Sequence, residues 1–259
     1  MSGGDHLGQA LILFIQFFTR INVPVMIDDV EEKFRRNIQY LTVFGLLLGI
    51  LEAAIFWVLQ LLMPVWLAWG LFLISDGLLT GGFHLDALAD SADGLFSSRT
   101  PDKMHEIMKD SRIGTMGTLA LIYFYGIMLG GGVALSQQVT PLHLAFVAAI
   151  TTMLAKTGLS LLFYKMVYAG SPHGLASIWV KVKTWQIAVA QLFSVIVMAL
   201  ALGISGVLSY LVILVVAYAY RRRIIHILGG FSGDTIGAFA EVAQMTFILA
   251  YLIFSRWLG

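Results

Sequence analysis

The sequence predicts an all-α, polytopic membrane helix bundle, on three observations. Apolar stretches long enough to cross about 30 Å of hydrocarbon recur along the whole chain. Its 259 residues are 59% hydrophobic and only 12% charged, with a mean hydropathy of +0.86, which sets it apart from soluble domains. Charge gathers in some connections and is missing from the ones between them. One integral-membrane domain over residues 1–259 is expected, without internal repeat, linker or low-complexity tract.

In chain order, Leu7–Phe18 is apolar but too short to span, and Asn22–Pro24 ends it, so it reads as a short interfacial or re-entrant helix. A charged patch follows over 28–36. Apolar spans are then expected at Ile38–Met63, Val65–Thr80, Thr115–Leu135, Leu142–Tyr164, Trp185–Gly203, Val207–Tyr220 and Ile236–Trp257, about seven transmembrane helices in all. Val65–Thr80 and Val207–Tyr220 are short for a full crossing. Lys33, Arg35 and Arg36 precede the first span; Arg99, Lys103, Lys109 and Arg112 follow the second. Lys165, Lys181 and Lys183 follow the fourth, and Arg221, Arg222 and Arg223 the sixth. The connections near Pro64, Ser136–Pro141 and Gly203–Gly206 are bare. The positive-inside rule makes the charged connections cytoplasmic.

Several function classes fall away. A net charge of +1, with no basic patch interleaved with aromatics, excludes a nucleic-acid binder. The absence of cysteine excludes disulfides, thiolate metal sites and cysteine catalysis. No basic region precedes the first apolar run, so a cleavable signal peptide is not expected.

The chemistry concentrates in Gly81–Arg112, which holds six of the fifteen acidic residues and four of the sixteen basic ones. Asp86, Asp90 and Asp93 fall at i, i+4 and i+7, so on a helix they share one side within about 60° of arc. Like charges that close repel unless a cation sits between them. Three carboxylates on one face make a hard oxygen site of the kind Mg²⁺ prefers, with Mn²⁺ also suited. The bland reading is a surface acidic patch, but the apolar frame of Leu85, Leu88, Ala89, Ala92 and Leu95 argues against simple solvation. His84 fits either a softer metal or a hydrogen-bonded structural role.

Thr100–Pro101 reads as a helix cap followed by proline at the first helical position. The helix it starts carries Asp102, Glu106 and Asp110 on one face and Met104, Ile107 and Met108 on the other, a cytoplasmic amphipathic helix in the interface. Asp102 and Glu106 are read as solvated. Asp110 differs because Lys109, Arg112, Gly114 and Gly117 surround it: the glycines would admit a ligand, and Arg112 suits a phosphate.

Gly229–Glu241 is a glycine-rich turn running into a helix, with Asp234, Gly237 and Glu241 on one face. Such a turn offers amides to an anion, although Gly233 and Gly237 also suit close packing. Ionisable groups at membrane depth are expensive and usually functional, which favours roles for Asp234 and Glu241. Glu52, with Gly45 and Gly49 on its face, and Asp76 are read as structural hydrogen-bonding residues facing the interior. Lys156 is read equally as a partner of an interior acid or as a contact for a substrate phosphate. Gly126 and Gly130 are read as helix packing.

Three blocks, HLDALADSADG at 84–94, IMKDSRIG at 107–114 and GDTIGAFAE at 233–241, resemble the cobalamin-5′-phosphate synthases, also called adenosylcobinamide-GDP ribazoletransferases. The similarity runs nearly end to end and includes FFTRINVP at 17–24. Ala87 stands where the family commonly has glycine, Ser91 where it has threonine, and Lys156 where some relatives carry arginine. The resemblance implies a Mg²⁺-dependent phosphotransferase of the inner membrane of a prokaryote, a single catalytic domain with its active-site loops on the cytoplasmic side. It would join adenosylcobinamide-GDP to α-ribazole or its 5′-phosphate, releasing GMP and giving adenosylcobalamin or its 5′-phosphate, at the end of nucleotide-loop assembly.

On this expectation Asp86, Asp90 and Asp93 bind metal, with Asp234 and Glu241 completing the acidic site. One of the first three, or Asp110, acts as base. Lys109 and Arg112 contact phosphate, and His84, Ser111, Gly114, Lys156, Gly233 and Asp234 border the substrate. A homo-oligomer is left open, and no nucleic-acid partner is expected. Asp90-x-x-Asp93-Gly94 also resembles the first half of the CDP-alcohol phosphotransferase signature, so a lipid enzyme of that kind is one alternative. A cation-coupled transporter using Glu52, Asp76 and Glu241 is the other.

Overall fold

A computed structural model describes residues 6–170 and 174–258. The apolar run at the start forms α1 (His6–Phe18), which buries Ala10, Leu13, Phe14 and Phe18 on one stripe. That stripe docks through aromatic contacts, Phe14 lying 5.2 Å from Phe34 of α2 (Val30–Arg36) and 5.8 Å from Phe44 of α3 (Leu41–Leu62). A 3-10 turn, Ile38–Tyr40, leads into α3. Then come α4 (Val65–Thr80), α5 (Phe83–Leu95), α6 (Pro101–Met108), α7 (Thr115–Ser136) and α8 (Pro141–Leu162). A second 3-10 turn, Leu175–Lys181, precedes α9 (Thr184–Leu228) and α10 (Gly233–Leu258).

Five of these helices are long and apolar enough to cross a membrane: α3 with its 3-10 lead, α7, α8, α9 and α10. Helix α8 is the axis, with 89% of its apolar window buried against 28% for α7 and α9. Small residues let neighbours reach it; a Cβ at Gly49 of α3 would lie 2.9 Å from the Ala149 carbonyl carbon of α8. Gly126 and Gly130 do not pack as expected, since a Cβ on either would meet open space. Gly132, half a turn or so further on, is the close contact: it abuts the Trp69 ring, whose Nε1 donates to Met128 O at 2.9 Å.

The spans expected at 185–203 and 207–220 are two arms of a single helical stretch of 45 residues, interrupted at Gly203 (φ 62, ψ −151), a conformation open essentially to glycine alone. A straight helix would hold Gln191 and Tyr210 about 28 Å apart, yet the Tyr210 hydroxyl donates to Gln191 Oε1. The chain therefore folds back at Gly203. Its second arm runs past Tyr220 to Leu228, so Arg221–Arg223 lie on the helix rather than in a loop. Arg221 accounts for the extension by reaching to the end of α8, where it donates to Tyr164 O at 2.7 Å.

Contacts confirm that the charged connections gather at one end. Gln186 donates to Arg35 O and Arg36 O there, and Ala169 N to Phe231 O. At the bare end, Ser205 reaches Phe254 O and Ser255 reaches Gln138. Gly81 and Gly82, with φ of 71° and 69°, turn the chain between α4 and α5 by 91°. Helix α5 therefore leaves the line of α4, the two together passing for one bent span; it lies over the charged ends of α7 and α10 and packs on both. That turn presents the acidic face to the site.

Candidate active site

Helix α5 begins as the Asp86 amide closes on Gly82 O at 2.8 Å. Asp86 and Asp90, one turn apart, face an open cleft of about 810 Å³ that also takes in Arg20, Lys109, Asp110 and Ser111. Asp86 borders a second cavity of about 140 Å³ with His84, Gly233 and Asp234. Asp234 in turn borders a third, of about 510 Å³, with Asp102, His105 and Lys109. Asp86, Asp90 and Asp234 thus form a continuous acidic seam. Asp90 records the strain of that seam: its carboxyl is pushed up to about 7, by partial burial first and then by Asp86, Asp234 and Asp93.

Asp93 turns the other way. Its two oxygens accept the Gly114 and Gly117 amides at 2.7 and 2.8 Å, at the N-terminus of α7. A Cβ at either glycine would come within 2.5 Å of that carboxylate, so these glycines admit Asp93 rather than a ligand. Asp93→Ala strips two charge-assisted bonds from a helix start, with an expected cost of about 3 kcal/mol. Thermal unfolding of the detergent-solubilised protein measures it; an unchanged midpoint would contradict the anchoring role.

Asp110 is paired with Arg112 through Oδ2–Nη2 at 2.6 Å and Oδ1–Nε at 3.0 Å. The guanidinium holds its carboxyl down at about 2, so Asp110 stays ionised and is a weak base. Arg112 spends its fork on that carboxylate instead of standing free for phosphate. Lys109 and Ser111 are exposed on the cleft wall.

Glu241 and Lys156 sit below the seam, in the bundle interior. Lys156 is 1% exposed and faces Glu52, Asp76 and Glu241. Thr152 donates to Glu52 Oε2, and Gln244 donates to Glu241 Oε2 at 2.9 Å. The Lys156 ammonium also lies 3.3 Å from His84 Nδ1 and over the Phe18 ring. Asp234 and Glu241 share a helical face but are about 10 Å apart along the axis. The expected five-carboxylate set therefore does not converge: Asp93 serves α7, Glu241 the interior, and Asp86, Asp90 and Asp234 the seam. Among the described residues no three His, Asp or Glu side chains close on a metal-sized site.

The seam still suits Mg²⁺. That ion commonly takes only one or two carboxylates, keeps waters and completes its shell with substrate phosphate. Mutual repulsion at Asp90 is what a divalent cation would relieve.

A model of the family described as cobalamin-5-phosphate synthase matches residues 10–252. The chain belongs to the cobalamin-5-phosphate synthase family. Three relatives named adenosylcobinamide-GDP ribazoletransferase illustrate the breadth of that likeness. The Listeria welshimeri protein is 37% identical over 245 residues, covering 95% of this chain and 98% of the relative. The Clostridium novyi protein is 36% identical, covering 94% and 96%. The Klebsiella pneumoniae subsp. pneumoniae protein is 37% identical, covering 92% and 97%. No solved structure matches.

Two residues that border this candidate site are not evident from the sequence. Arg20 enters the large cleft because the Arg20 amide donates to Leu79 O at 2.7 Å, pinning the end of α1 beside the Gly81–Gly82 turn. Its one signal was its place within FFTRINVP. His105, on α6, lines the third cleft with a buried Nε2 that has no hydrogen-bond partner; no spacing in the sequence links it to Asp234.

Proposed function

We propose that this chain is an adenosylcobinamide-GDP ribazoletransferase, joining the adenosylcobinamide-phosphate moiety to α-ribazole or its 5′-phosphate and releasing GMP. The observation that carries the reading is the Asp86–Asp90–Asp234 seam along a cleft that also holds Arg20 and Lys109. Acidic and basic groups on one wall suit a substrate that is itself an anion and arrives with cations. Family membership supports the same reaction.

In this reading one or two of the seam carboxylates, Asp86 with Asp90 or Asp234, would hold Mg²⁺, or Mn²⁺, when it is bound, with water and substrate phosphate completing the shell. The ion supplies charge neutralisation between the diphosphate and the carboxylates. Arg20 and Lys109 grip the phosphates, and Ser111 offers a further hydrogen bond. The ribose hydroxyl attacks the phosphorus that carries the cobinamide side; the new O–P bond forms as the bond to GMP breaks. The hydroxyl proton passes to a carboxylate of the seam, and Asp90, which lines the large cleft together with Lys109, suits that role by position. Asp110 does not, because Arg112 holds it ionised. The charged end of the bundle would face the cytoplasm of a prokaryotic inner membrane, in line with the positive-inside rule.

The test is direct. Protein purified in detergent, given adenosylcobinamide-GDP, α-ribazole and Mg²⁺, should release GMP, and a chelator should stop it. Release of CMP from a CDP-alcohol donor, or no nucleotide at all, would overturn the reading.

A further inference from the structure

The 140 Å³ cavity beside Asp86 and Asp234 differs from the two clefts it joins. Phe17, Phe18, Phe163 and Trp179 wall it, and the last two stack 4.8 Å apart at 17°. Such walls repel phosphate and favour a flat, uncharged ring. An apolar cavity of about 150 Å³ accepts a benzene-sized ring. This one opens towards Asp86 and Asp234, so a second fused ring and a sugar would extend outward to the acidic seam.

One polar atom points to what kind of ring. His84 is 4% exposed and lines this cavity, and its Nε2 has no hydrogen-bond partner. Its other nitrogen, Nδ1, lies 3.3 Å from the Lys156 ammonium, a group that only donates. Nδ1 must then accept, which puts the ring hydrogen on Nε2. A buried N–H without an acceptor costs stability until a ligand supplies one. The Cδ2 edge beside it faces Gly237, another wall residue, where a Cβ would lie 3.7 Å away.

We infer that this cavity is the subsite for the heteroaromatic base of the acceptor nucleoside, with His84 Nε2–H donating to the ring nitrogen that carries no sugar. The inference rests on the ribazoletransferase reading and deepens it: the base is the uncharged part of an otherwise polar acceptor. Seating it here would bring the ribose to Asp86 and Asp234.

Equilibrium binding of α-ribazole to the full-length protein in detergent, with no donor substrate, tests the inference. A riboside of the same bicycle with carbon in place of the free ring nitrogen serves as control. Wild type should bind α-ribazole about ten-fold more tightly than the control. His84→Phe should abolish that preference while leaving the control's affinity unchanged. Ala176→Leu, which fills the cavity from its wall, should weaken both ligands at least ten-fold. Equal affinity of wild type for the two ribosides, no binding of α-ribazole, or full binding by Ala176→Leu would each overturn the subsite. The comparison of ribosides on wild type decides the matter if a variant fails to fold. GMP release by wild type with the complete substrate pair is measured in parallel. Its loss sinks the enzyme reading, whereas GMP release with no nitrogen preference sinks the subsite alone.

Discussion

Asp90→Asn should lower GMP release on the order of 10³-fold while the helix bundle stays folded. Asparagine keeps the shape of the side chain and removes both its charge and its ability to take a proton. Asp90 is the seam residue on which the other acids bear most, its carboxyl standing at about 7. The same perturbation sets the direction of a stability test in chelator. Between the ordinary aspartate range and about 7 the native state keeps a proton that the unfolded chain has released, so native stability falls as pH rises through that window. Asp90→Asn removes the titrating group and should flatten that fall; thermal scans at about pH 5 and about pH 8 read it out. Wild-type turnover in Asp90→Asn would end the assignment of Asp90 to the reaction. An unflattened pH dependence would separate Asp90 from the repulsion ascribed to it.

Lys156→Met should produce the largest loss of stability, about 3–5 kcal/mol. Methionine matches the length of the stem and packs as well, so the loss isolates the charge. Glu52, Asp76 and Glu241 would then lack their shared cation, and His84 Nδ1 would lose its donor. Removing one acid as well, in Lys156→Met with Glu241→Gln, should recover a good part of the deficit, because those two changes act on one cluster. Unfolding in a graded series of denaturing detergent measures both variants. A single variant as stable as wild type would show that the acids do not rely on the ammonium.

Those two outcomes separate what the sequence made legible from what it hid. Apolar length located α3, α7, α8, α10 and both arms of α9, because crossing a bilayer is a local demand on composition; α4 by itself falls short of a full crossing. The pairing of Asp86 with Asp90 was legible too, since i and i+4 meet on any helix. The fate of Asp93 was not, because its partners are amides 21 and 24 residues ahead, and only the packing of α7 against α5 brings them there. Glu241 misled for a related reason. A shared face says nothing about depth, and depth separates the seam from the interior cluster. Arg20 reaches the site through a contact between α1 and the end of α4, for which a single chain's pattern holds no trace.

The fold at Gly203 bears on how the protein is made. With no charged residue at its bend, the segment 184–228 can enter the lipid as one preassembled pair of arms, its tip trailing nothing that resists translocation. Gln191 and Tyr210 would find each other inside that pair before α10 is synthesised, satisfying two polar side chains early in biogenesis. A bend that looks like a mere connector would therefore let the two arms of α9 insert as one unit.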